Sequence, residues 1–466
     1  MLIVFIVLFH AFAAVFLYHA NTTVAAQGVS IPLIRVPVKG GLTPHVFSSN
    51  VSLYNSQQFA YLAHINIGNQ NFLVLLDTGS SDLWVVSSEC SDQDCSTIAK
   101  YRPSPSLNLT DTVFALEYLL GSVSGRVGTE TVTLGPFQIE PQVFALADKT
   151  MGLGLSGTGN SGILGLSFPL EASISATAGS TLLENILSPF EDSDKYFAFK
   201  LGRDQFTSSF TVGQVDSTYA NSPSDFAFTP VYPAYGSTYD YWKLPITYFT
   251  INSTRFELSK SRVPHSPTPL AVLDTGTTLV LGPPDDVERF YQSVGGARKN
   301  GDGWQIRCDR GIIIGFALGQ GDSLKEYVID PSDIAWEEGG REGDWCYGGI
   351  QANDEVSSGD WLLGDTFLRN VYVIHHAGTS SGPPSVGLLG MTDATKALED
   401  FRVLRGNDPT PPSHVITHPG FHMPALTAPT VCGISGVSGL LFGAIVTGVV
   451  FACQSGLAKR RATSNS

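Results

Sequence analysis

Two stretches decide how this chain is read: LLDTGSSDLW at residues 75–84 and VLDTGTTLVL at residues 272–281. Each is an apolar pair followed by Asp-Thr-Gly and a hydroxyl residue, and their aspartates, Asp77 and Asp274, stand 197 residues apart. If the two halves are copies of one unit, other features recur at a matched offset. Ile163-Leu164-Gly165 ends 88 residues after Asp77, and Leu362-Leu363-Gly364 ends 90 residues after Asp274. A solitary Asp-Thr-Gly is an ordinary turn former. Two of them, each followed at nearly the same distance by apolar-apolar-Gly, read as an internal duplication.

Two carboxylates brought together cannot both ionise easily, because like charges at close range push one pKa up and leave the pair sharing a proton. Such a pair offers a base and an acid at once, which suits activation of a water against a carbonyl without a covalent intermediate. That chemistry needs no metal and no organic cofactor. The residues around each aspartate fit it. Leu75-Leu76 and Val272-Leu273 lower the local dielectric and strengthen the coupling. Gly79 and Gly276 let backbone N–H groups approach the carboxylates without a Cβ in the way. Thr78, Thr275, Ser80 and Thr277 supply hydroxyls expected to hold the carboxylates coplanar.

The chain has 466 residues, enough for two or three domains with buried cores. Hydrophobic content of 43% with 15% charged residues argues for a folded protein. Net charge is −15, from 42 acidic and 27 basic residues, and no Lys/Arg stripe interrupts it, so nucleic acid is excluded as a partner class. The acidity suits either simple solubility or an acidic setting.

The ends of the chain carry targeting signals. Residues 2–17 are an uncharged apolar run, and Val24-Ala25-Ala26 offers a cleavage site, giving a signal peptide over 1–26, with an uncleaved anchor as the alternative. Gly433 to Cys453 is 21 residues without a charge, the length of a membrane-crossing helix, followed by Lys459, Arg460 and Arg461. A cleaved lipid-anchor signal would end in its hydrophobic tail, whereas 13 residues follow here. Gly439 and Gly443 form a GxxxG, a spacing easily due to chance in a glycine-rich span, and the chain is read as a monomer. Residues 405–432, rich in Pro, Thr and His, form a stalk, and 454–466 a cytoplasmic tail.

Cys432 and Cys453 flank the predicted span, leaving Cys90, Cys95, Cys308 and Cys346, which allow three pairings. The short gap favours Cys90–Cys95, with Cys308–Cys346 second; a zinc site is the alternative, though CxxC spacing and a histidine cluster are missing. Asn50, Asn108 and Asn252 each begin a glycosylation sequon. Between the ends the pattern is β. YLAHINI (61–67) and FLVLL (72–76) flank the turn 68–71, while DDVERFYQSVG (285–295) and TLLENIL (181–187) are the main helix candidates.

These features resemble the pepsin-like aspartic peptidases, of the eukaryotic, bilobal and fungal type, over roughly residues 59–400. The likeness rests on DTGSSDLWV at 77–85, YLLGSVSG at 118–125, SGILGLSFP at 161–169, DTGTTL at 274–279 and WLLGDTFLRNVYV at 361–373. It implies an all-β fold of two duplicated lobes, 59–230 and 231–404, with a substrate cleft between them and, here, a C-terminal transmembrane helix. Asp77 and Asp274 match the catalytic pair. Tyr118, with Gly121 and Ser122, matches the flap over bound peptide, and Trp84 the tryptophan supporting it. Both cysteine pairings match disulfides common in the family.

One departure stands out: Leu119 and Leu120 follow Tyr118 where the family usually reads Tyr-Gly-(Thr or Asp)-Gly-Ser, so altered subsite preference is expected. Residues 27–58 sit where the family carries an inhibitory propeptide, with Arg35 and Lys39 as candidate basic residues against the dyad. Protein or peptide substrates with bulky apolar residues around the cut bond are implied. The expected place is the secretory pathway, as a single-pass protein of the cell surface or an acidic vacuole or endosome. A non-catalytic binding or inhibitory protein on the same scaffold is the competing class.

Overall fold

The computed structural model describes residues 26–37, 59–204, 207–301, 303–354, 356, 359–380 and 382–407. Most of the expected signal peptide, Lys39, Asn50, the stalk beyond residue 407 and the predicted span lie outside the described residues. Among those described, no helix is long and apolar enough to cross a membrane. The architecture is mostly β, in two halves that each carry an eight-stranded sheet.

In the first half, strands Phe59–Ile67 and Gln70–Asp77 form the expected hairpin, but the turn is only Gly68-Asn69, both left-handed with φ of 55° and 63°. A two-residue turn with positive φ matches the twist of the strands it joins. Along Gln70–Asp77 the side chains alternate: Phe72, Val74 and Leu76 enter the main core, while Leu75 packs on a second cluster with Trp84 and Ile163. Val74–Asp77 runs parallel to Gly162–Gly165, with Asp77 opposite Gly165, and Leu83–Val85 pairs antiparallel on the other side of Gly162–Leu164. This pairing explains why apolar-apolar-Gly recurs so far behind the aspartate.

The second half repeats the arrangement. Ala271–Leu273 runs parallel to Trp361–Leu363, and Val280 and Leu281 pair antiparallel with Leu363 and Leu362. Asp274 donates its backbone N–H to Leu363 at 3.0 Å. A third, six-stranded sheet joins the halves. Its order is Val29–Ile31, Ser209–Val212, Tyr196–Lys200, Val371–His376, Ser385–Gly390 and Ala227–Pro230. Central in it, Phe197 and His375 face each other across neighbouring strands.

The expected helices appear as Leu182–Leu187, opened by a reciprocal Thr181–Glu184 cap, and Pro284–Val294, which starts on proline. A further helix, Ala394–Arg405, was not anticipated; Asp393 accepts the Lys396 N–H at 2.8 Å to start it. The disulfides are Cys90–Cys95 and Cys308–Cys346. Residues 29–37, inside the expected propeptide, are built into the body: Val29–Ile31 is one edge of the six-stranded sheet and Leu33–Pro37 one edge of the first half's sheet.

Candidate active site

Both Asp-Thr-Gly segments turn sharply at the inner end of a buried strand, and both carboxylates are buried, Asp77 at 4% and Asp274 at 6% exposure. Their hydrogen bonds are copies of one another. Asp77 Oδ1 accepts the Gly79 N–H at 2.8 Å and Oδ2 accepts the Ser80 hydroxyl at 2.5 Å. Asp274 Oδ1 accepts the Gly276 N–H at 2.8 Å and Oδ2 accepts the Thr277 hydroxyl at 2.6 Å.

The glycines do more than free the N–H groups. A Cβ on Gly79 would stand 2.6 Å from Asp274 Oδ1, and one on Gly276 would overlap Asp77 Oδ1. Each turn therefore lies against the other half's carboxylate, and any larger residue would push the pair apart.

Thr78 and Thr275 have a different task from the one their sequence position suggests. Their side chains point away from the carboxylates and across the midline. The Thr78 hydroxyl donates to the Leu273 carbonyl at 2.9 Å and accepts the Thr275 N–H at 3.0 Å. The Thr275 hydroxyl donates to the Leu76 carbonyl at 2.7 Å and accepts the Thr78 N–H at 3.1 Å. Four buried bonds thus lock the turns to each other, while of the four hydroxyls it is those of Ser80 and Thr277 that bond the acids. Successive extended residues project to opposite sides, so the Thr beside an inward Asp must face elsewhere.

Burial, and next the charge of Asp274, push the Asp77 carboxyl well above its ordinary range; the Ser80 and Gly79 bonds oppose this without cancelling it. Close like charges in a dry site hold a proton between them, an effect usually illustrated by the aspartic-protease pair itself.

Close enough to Asp77 for its Tyr118 to feel that charge lies the hairpin of strands Asn108–Tyr118 and Gly121–Leu134. Trp84 donates its indole N–H to the Tyr118 hydroxyl at 2.8 Å, and burial together with the Asp77 charge pushes the Tyr118 phenol above its usual range. Gly121 closes the turn at φ 106°, where a Cβ would run into the Met151 carbonyl. Ser122 is one ladder step back, opposite Glu117 and Met151. Among the sequons, Asn108 and Asn252 are exposed.

Asp365, within WLLGDTFLRNVYV, is a functional candidate that the sequence alone does not single out. Its carboxyl is buried and pushed well above the usual range, first by burial; Arg369 and Arg35 act the other way. The signal available was an acid inside the apolar run WLLGDTFL. Nearby, Arg369 and Asp333 form a buried pair at 3.0 Å, and Asn370 donates to Asp333 at 2.8 Å. Arg35 donates to the Arg203 carbonyl, and its charge acts on the Asp365 carboxyl. Among the described residues, no group of three or more His, Cys, Asp or Glu is placed to hold a metal ion.

Comparison with known proteins agrees with this geometry. The chain is 28% identical to bovine (Bos taurus) pepsin A over 342 residues, covering 71% of this chain and 85% of that protein. It is 30% identical to pepsin II-1 of Oryctolagus cuniculus over 338 residues, 70% of this chain and 80% of the relative, and 28% identical to gastricsin of Rattus norvegicus over 333 residues, 69% and 79%. The sequence pattern described as eukaryotic aspartyl protease matches residues 60–381, and with both Asp-Thr-Gly turns in place this chain belongs to that family.

Proposed function

We propose that this protein is an acid-active aspartic endopeptidase in which Asp77 and Asp274 activate a water between them. The observation that carries the reading is the mutual cage of the two carboxylates: each is bonded by its own turn and pressed by the glycine of the other. One ionised carboxylate takes a proton from the water while the protonated partner donates toward the substrate carbonyl. Pushed up by burial and by Asp274, Asp77 suits the proton-holding role in the resting pair. Activity then requires one proton on the pair and falls as pH rises and that proton is lost.

Peptide would lie extended in the cleft under Tyr118, with bulky apolar side chains around the cut bond. The two disulfides suit an oxidising, secretory route, and the uncharged run at Gly433–Cys453 supports a tether with the body outside the cytoplasm.

Residues 27–58 are proposed as a removable prosegment. Its described strands are both sheet edges, which can be stripped without breaking a sheet in two. Removal would take Arg35 away from Asp365, whose carboxyl it helps hold down. N-terminal sequencing after acidification should reveal a new start near residues 45–60; an unchanged start would remove the prosegment.

The test of activity is cleavage of an unfolded protein by the detergent-solubilised chain from pH 2.5 to 7, beside Asp77→Asn and Asp274→Asn. Acid-dependent cleavage lost in both variants is expected. Folded protein that cleaves nothing at any pH, even after acid treatment, would favour the non-catalytic binding class.

A further inference from the structure

We infer that Leu119 is a specificity-determining residue: in the resting protein it occupies an apolar pocket of the second half, and a bulky apolar side chain of a peptide must displace it to bind there. The inference deepens the peptidase reading and rests on it for the identity of the ligand.

The pocket follows from strand alternation beside Asp274. Val280 and Leu363 point into the main core, whereas Leu279, Leu281 and Leu362 point the other way and gather with Trp336 into a separate apolar cluster. Leu362 stands opposite Val272, two residues before Asp274, so this cluster draws on the strand beside the one that ends at the acid. Packed against it, beside Tyr347, is Leu119 from the flap hairpin of the first half.

Its neighbour goes the opposite way. Tyr118 packs on the first half's cluster and bonds Trp84, so two consecutive residues at the hairpin tip are divided between the two halves. Only the turn Leu119-Leu120 separates Tyr118 from Gly121, whose backbone is pinned against Met151. The hairpin base therefore stays with the first half while the Leu119 side chain reaches over the cleft. A turn tip is normally polar; here half-buried leucines occupy it, and lifting the flap would expose both Leu119 and the Leu279–Leu362 surface to water.

The ligand class follows. A side chain that fills the same space, as Phe or Leu does, competes with Leu119, while a glycine at that position leaves the contact standing. If the pocket is open in about one molecule in ten, binding through it is weakened about tenfold, and removing the leucine restores that factor.

The test uses the full chain in detergent and two reduced-amide peptides, in which a methylene-amine replaces the cut bond, carrying Phe or Gly at the positions flanking it. Binding is read by calorimetry and so does not depend on turnover. Leu119→Ser should bind the Phe peptide about tenfold more tightly than the parent and the Gly peptide about equally, while Leu119→Met should behave as the parent. Amide exchange should rise about tenfold at the tip of the 108–134 hairpin in Leu119→Ser alone. Unchanged exchange in a folded Leu119→Ser, or equal gains for both peptides, overturns the inference while leaving the peptidase reading intact. Failure of both peptides to bind any variant overturns the cleft as a peptide site, and the inference with it.

Discussion

Around Asp77 and around Asp274 the turns are interchangeable, yet five residues further on the copies part. Asp82 in the first half accepts the N–H groups of Ser173 and Ile174 at 2.7 and 3.0 Å and anchors that loop; Leu279 in the second half joins an apolar cluster. The hairpin makes the same division, with Tyr118 held by the first half and Leu119 by the second. What both carboxylates need is duplicated: a strand end, a glycine N–H, a hydroxyl and a threonine crossing the midline. What serves only one half differs between the copies.

If the turns are equivalent, Asp77→Asn and Asp274→Asn should be equally damaging, each lowering kcat at least about a thousandfold, the scale of lost acid–base catalysis. Initial-rate assays at acid pH check this; a variant retaining a tenth of the activity would break the equivalence.

The sheet that joins the halves supplies the next test. His375 is buried and stacked on Phe197 at 4.6 Å with Trp242 edge-on at 5.0 Å; neither ring nitrogen has a partner, and burial pushes its pKa down to about 3. The residues facing it there, Phe197, Phe199, Trp242 and Val386, carry no charge. An unfolded chain would protonate this histidine near pH 6.5, so its neutral form contributes stability in full above that pH, and the contribution is lost progressively as pH falls toward 3. The loss approaches a few kcal/mol, at about 1.4 kcal/mol per unit. His375→Phe should therefore raise the urea midpoint at pH 3.5 relative to the parent far more than at pH 7.5. An equal change at both values would remove His375 from the acid response.

Thr78→Val and Thr275→Val sharpen the symmetry at a smaller scale. Each leaves a buried N–H and a buried carbonyl of the opposite half without the hydroxyl, at about 1–3 kcal/mol. The two losses should be similar and, because the residues share one network, sub-additive in the double variant. Thermal unfolding of all three variants measures it; fully additive losses would mean that the crossing bonds act separately.

Tyr118→Phe should have the least effect, removing the hydroxyl's bonds with Trp84 and Ser80 at about 1 kcal/mol each while keeping the ring in place. A large loss of kcat would instead give the hydroxyl a part in the chemistry.

Much of the duplication was legible because it is local. The Asp-Thr-Gly turns, the strands before them and the apolar-apolar-Gly segments are set by neighbours a few residues apart, and the near-equal spacing that reads as a duplication reflects a strand register, Asp77 opposite Gly165. The hairpin at 59–77, two helices and the Cys90–Cys95 disulfide were readable for the same reason, whereas Cys308–Cys346, 38 residues apart, has no such local signal. The sequence by itself determined the chemistry on offer: two equivalent acids, each in an apolar setting with its own glycine and hydroxyl.

Tertiary structure decided where the remaining side chains go. Thr78 meets Leu273 and Arg35 meets Arg203 across 195 and 168 residues of chain, and Leu119 packs on the apolar cluster of the second half. Nothing in residue type separates a threonine that holds a carboxylate from one that holds the opposite strand, or a leucine in a loose turn from one seated in the far half. Those outcomes depend on which surfaces the two halves present once they close, because hydrogen bonds and apolar burial are settled by proximity in space.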